Sequence, residues 1–283
     1  MISWLLEPLS YAFMQRGLVA AVLVGIICAI IGCYVVLRSM AFLGDALAHA
    51  ILPGIAIAYL LNANLTIGAL VAALLVALGI GFFSSGGNIK EDTAIGILFA
   101  AALALGVALI SSMGSYAVDL SHILFGNVLG VSNFDLVLIA VVGVLVLAAI
   151  VLLYKQFLLV SFDPVLATTM RLPVKRLNNL LLVMLGLTIV ISIQSVGVGL
   201  VAAMLVTPGA AAYLLARRLP AMMGLAAAIG AFSSLAGLYI SYYTNVVSGS
   251  AIVLVATAIF LLAFVFSPQK GLLNRFYKKA PQA

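Results

Sequence analysis

Charge is what this sequence has least of. Only 7% of its 283 residues are Asp, Glu, Lys or Arg, and there are two histidines, two cysteines and one tryptophan. So few charged groups cannot cover a water-soluble domain of this length, which excludes that class. The cysteines, Cys28 and Cys33, fall in one apolar stretch on different faces of a helix, and read as small packing residues. No G-x-x-x-x-G-K-S/T segment occurs, so the chain cannot bind and hydrolyse ATP by that route. The lack of H-E-x-x-H weighs against an intramembrane zinc protease, and no serine stands in a G-x-S-x-G context.

What is there is apolar. Hydrophobic residues make up 66% of the chain and the mean hydropathy is +1.36. The pattern predicts an all-α, polytopic membrane protein with about nine spans, or eight to nine. They are placed near 17–37, 40–61, 65–83, 93–112, 134–154, 177–195, 197–216, 220–242 and 247–266. Residues 2–15 read as an interfacial start and 267–283 as a tail, in a single domain over 1–283.

The net charge of +6 would point to nucleic acid in a soluble protein; here the bases mark topology. With the C-terminus cytoplasmic, the inner loops hold all of the 13 basic residues except Arg16. The longest inner loop is SFDPVLATTMRLPVKR, 161–176. Asp163 can cap a short helix there, with Pro164 at its first position and Pro173 ending it. A capped helix on that face reads as a docking element or a plain amphipathic connector. On the outer side, 112–133 is too polar to span and reads as lying flat on the surface. It carries Asp119 and His122 at a spacing that shares a helix face, a weaker candidate pair for a metal.

The chain is organised around RSMAFLGDALAHAILPGIAIAY, 38–59. Asp45 and His49 lie one helical turn apart on one face of an apolar segment, where ionisable groups are rare and usually line a pathway. Pro53 follows one turn later. It cannot donate to the His49 carbonyl, so a bend and a free oxygen are expected. An acid, an imidazole and a loose carbonyl suit a divalent cation. Counted along an unbroken helix from the inner end, the pair lies roughly 8–14 Å into the bilayer.

Several segments together carry a family likeness: FMQRGLVAAVLVGIICAIIGCYVVLRSMAFLGDALAHAILPG (13–54), KEDTAIGILF (90–99), VDLSHILFGNVLGVS (118–132), LLVSFDPVLATTMRLPV (158–174) and SVGVGLVAAMLVTPGAAAYLLARRLP (195–220). On these the chain resembles the membrane permease of ATP-binding-cassette importers for manganese, zinc or iron(II), most of all the manganese members. The resemblance implies a type II importer-like permease in the bacterial inner membrane, without a permanent cofactor. It implies a second copy forming a path at a two-fold axis, cytosolic ATPase subunits below and an extracytoplasmic metal-binding protein above. The family's acid and histidine match Asp45 and His49, and its coupling segment matches 161–173, with Asp163, Ala167, Arg171 and Pro173. Ala167 is expected on the face that the ATPase covers. Related importers often carry glycine where Arg171 stands. A secondary carrier without an ATPase and an intramembrane metalloenzyme remain as rival readings.

Overall fold

The computed structural model describes residues 7–84, 89–112 and 128–267. Among them the chain is helical throughout, with no strand. The helices are α1 (Ala12–Leu37), α2 (Leu43–Ala50), α3 (Leu52–Leu60), α4 (Leu65–Ser84), α5 (Glu91–Ser111) and α6 (Asn133–Leu152). There follow α7 (Tyr154–Phe162), α8 (Pro164–Thr169), α9 (Val174–Val196), α10 (Val198–Leu215), α11 (Leu219–Thr244) and α12 (Ser248–Phe266). Counting α2 and α3 as one span, 9 described segments are long and apolar enough to cross a membrane. The chain is therefore a multi-pass membrane protein.

α1 is the centre. It packs against α10 and α11 along lines of small residues. A Cβ added at Gly25 would come within 2.9 Å of the Gly230 carbonyl oxygen, and one at Gly32 would collide with the Leu205 backbone. The two backbones meet where those side chains are missing, the means by which helices associate in lipid. Gly54 and Gly68 do the same between α3 and α4.

Three boundaries differ from the periodic reading, each for a local reason. α1 starts at Ala12, earlier than expected, after a short 3-10 turn at Pro8–Ser10. The span expected over 40–61 does not run unbroken. Ser39, at φ 58°, ends α1, and the chain turns before α2 begins at Leu43. That span then breaks at Ile51, and Pro53 stands in the first turn of α3, where its missing N–H costs nothing. Lastly, α7 occupies a stretch read as the end of a span and a loop. Its Phe157 is fully buried against Tyr34 of α1, ring centroids 5.7 Å apart. That contact pulls a modestly apolar segment into the fold.

Candidate metal centre

α2 has one dry side and one open side. Leu43, Gly44, Ala46, Leu47, Ala48 and Ala50 are buried. Gly44 lets α2 approach α10, since a Cβ there would stand 3.0 Å from Leu205 Cδ1. The remaining face carries Asp45 and His49, whose side chains are 46% and 30% exposed. An ionised acid facing hydrocarbon costs up to about 3 kcal/mol. This face is therefore one that meets water or another protein chain.

The local bonds decide which atoms are free. His49 Nδ1 lies 3.0 Å from the Asp45 carbonyl oxygen. A carbonyl can only accept, so Nδ1 carries the hydrogen, and the lone pair of the neutral ring is on Nε2. The Asp45 carboxylate is 3.6 Å from Nδ1, too far for a hydrogen bond, and stays available as an acceptor. Phe99 of α5 holds the ring from the side: it meets His49 at 6.2 Å and Phe42 at 5.4 Å, edge-on in both cases. Asp45 lies in the first turn of α2 and His49 in its last.

One expectation about this helix is corrected. The His49 carbonyl is not a bare ligand, because the Ile51 N–H turns onto it where the helix ends. Because α2 begins at Leu43, the pair lies roughly 3–9 Å along its own helix. One protomer also falls short of a full coordination sphere. Among the described residues no group of 3 or more His, Cys, Asp or Glu could hold a metal ion. Asp119 and His122, the weaker pair, lie outside the described residues. A groove of about 520 Å³ between α3, α4 and α5 is lined by Pro53, Ile57, Leu98 and other apolar residues. It touches neither Asp45 nor His49 and offers a cation no charge.

The second region singled out from the sequence is α8. Asp163 caps it as expected: the Leu166 N–H donates to Asp163 Oδ1 at 2.9 Å, with Pro164 at the first position. Arg171 takes φ 58°, the left-handed conformation that glycine adopts most readily. α8 ends at Thr169, so Pro173 is not its stop as expected; it stands at the N-cap position of the following helix, α9, without a side-chain cap bond. Ala167 is not on the outward face, however. It is 0% exposed inside the protomer. The apolar surface offered outward belongs to Val165, Leu166 and Met170, with Phe162 of α7 beside them. Sequence reasoning missed these. Spacing gave little signal: on a helix only Val165 lies opposite Ala167, while Leu166 is about 100° and Met170 about 60° from it.

A family model described as the ABC 3 transport family matches residues 10–267. The manganese transport system membrane protein MntC of Halalkalibacterium halodurans is 52% identical over 272 residues, spanning 96% of this chain and 93% of that protein. A probable iron transport system membrane protein of Haemophilus influenzae is 43% identical, spanning 94% of this chain and 98% of that protein. Among solved structures, PsaBC from Streptococcus pneumoniae in complex with Fab superposes with a TM-score of 0.85 at 42% identity. That match covers 98% of this chain and 100% of the other.

Proposed function

The chain belongs to the ABC 3 transport family, and on that premise we propose that it is the permease of an ATP-driven importer of a divalent transition metal. As a family member it is a transport subunit, not an enzyme; ATP is hydrolysed by separate cytosolic subunits. Manganese is the preferred cargo, in line with what MntC is named for, while the iron-named relative keeps Fe²⁺, with Zn²⁺, as alternatives.

The observation that carries this reading is the open face of α2. Asp45 and His49 are half-exposed on an otherwise apolar membrane helix, with Nε2 and the carboxylate free. A second copy across a two-fold axis would cover that face and double the ligand set to two carboxylates and two imidazoles. Mixed oxygen and nitrogen donors suit Mn²⁺, Fe²⁺ or Zn²⁺, and the lack of thiolate disfavours Cu(I). The ion is delivered from outside by a metal-binding protein, rests between the protomers and leaves inward, so the site must hold it weakly enough to let go. On the cytosolic side, the outward face of α8 and the cations Arg171, Lys175 and Arg176 meet the ATPase. The distribution of basic residues supports a cytoplasmic C-terminus.

The test is metal uptake into vesicles holding the permease with its ATPase and delivering protein, against vesicles lacking the ATPase. ATP-dependent accumulation of Mn²⁺, reduced by competing Zn²⁺ or Fe²⁺, is expected. Equal uptake without the ATPase would make the chain a secondary carrier and overturn the reading.

A further inference from the structure

At the end of α1, Arg38 stands between the two functional regions. Its Nε donates to Ser161 Oγ of α7 at 3.2 Å. Ser161 is two residues before Asp163, the cap of α8. On the other side the chain turns from Arg38 directly into α2, which bears Asp45 and His49. One further nitrogen of the guanidinium has no partner. Arg38 Nη2 is buried without a hydrogen-bond partner, and so are Glu91 Oε1 and Tyr34 Oη. Glu91, the first residue of α5, is near enough for its charge and that of Arg38 to act on each other. Among the described residues, however, no hydrogen bond or ion pair joins them. Eight residues further along α5, Phe99 packs on the His49 ring.

An unpaired donor atom on a cation, Arg38 Nη2, and an unpaired acceptor atom on an acid, Glu91 Oε1, form a costly arrangement that a small approach relieves. Arg38 has one partner on the docking side of the protein and an unused, stronger one on the metal side. We propose that Arg38 is a two-position coupling residue, bonded to Ser161 in the state seen here and closing onto Glu91 during transport. When α8 and α7 move with the ATPase, the Ser161 bond is released. The guanidinium then closes on Glu91 as a charge-assisted, fork-shaped contact. That closure draws the start of α5, and with it Phe99, relative to α2, so that the docking helix and the metal ligands move together. Arg38 touches no metal; it is a positioning residue, and lysine would not reproduce its planar fork. The proposal rests on the importer reading above.

The test uses the whole transporter, permease with ATPase, in vesicles, and reads metal moved per ATP hydrolysed. Arg38→Gln and Glu91→Gln should each lower that ratio about tenfold, and the double variant should be no worse than either alone. Exchanging the charges, Arg38→Glu with Glu91→Arg, should recover part of the loss. Ser161→Ala frees the guanidinium early and should raise ATP hydrolysis in the absence of metal. Losses that multiply in the double variant, or a Glu91→Gln transporter with an unchanged ratio, would overturn the proposal. Should Arg38→Gln fail to assemble, Glu91→Gln and Ser161→Ala decide the matter by themselves. Wild-type vesicles that take up no metal would refute the importer reading, a failure distinct from normal coupling in the Glu91 variant.

Discussion

α2 and α8 are both short helices with one buried side and one exposed side, yet they expose opposite chemistry. α2 presents an acid and an imidazole from a segment that is otherwise apolar. α8 lies in the connection between two spans, and presents Val165, Leu166 and Met170. Each exposure is the wrong one for its surroundings if the protomer stood alone. Charge is unfavourable against lipid, and a cluster of large apolar side chains is unfavourable against water. The function proposed above supplies a different neighbour for each: a polar path with a second copy at α2, and a protein partner with an apolar groove at α8.

The most damaging way to break that contrast is at α2. Asp45→Asn keeps the shape and removes the charge that offsets a divalent ion taken out of water. His49→Ala removes the free Nε2. In a dimer each change acts twice, so metal accumulation should fall at least about a hundredfold while the protein level and ATPase association persist. Near-normal uptake by both variants, measured at matched protein levels, would mean that the pair only packs.

At α8 the outcome depends on which side is touched. Leu166→Asp with Met170→Asp places charge on the outward face and should cost roughly tenfold or more in ATPase association, read by co-purification, with the permease itself intact. Ala167→Glu places charge inside the protomer, where a buried, unpaired carboxylate lowers the amount of folded permease. If Ala167→Glu gave a well-folded permease that merely lost its ATPase, the assignment of inner and outer faces would be reversed.

The smallest effect is expected at the end of the same loop. Arg171 holds a left-handed conformation that disfavours side chains bearing a Cβ. Arg171→Gly should relieve about 1 kcal/mol of backbone strain, offset in part by greater freedom in the unfolded chain. Thermal unfolding of the purified permease should shift by a few degrees at most. A large drop would show that the arginine side chain makes a contact that holds the turn.

Much of this was legible in the sequence. Apolar run lengths identified the spans, because the bilayer demands about 20 such residues for each crossing. The capping of α8 by Asp163 followed from a short-range rule that needs only neighbours in the chain. The Asp45–His49 pairing followed from helical periodicity, which relates residues one turn apart whatever surrounds them. Where the reading failed, the deciding contact was between segments far apart in the chain. α7 became a helix of its own partly because Phe157 found Tyr34, more than a hundred residues earlier.

By itself, then, the sequence determined the membrane class, most of the helical elements and which residues, Asp45 and His49 among them, share a helix face. Periodicity and capping are local, and local rules suffice for these. The tertiary structure alone decided which face is covered. It buried Ala167 and left Leu166 outward, broke the span at Ile51 and bonded the Arg38 guanidinium to Ser161. Angular position around a helix is set by the chain, but whether that position meets a neighbour, water or lipid depends on how the helices dock. That docking is settled by the close packing of residues such as Gly25, Gly32 and Gly230, which lie far from the site they help to shape.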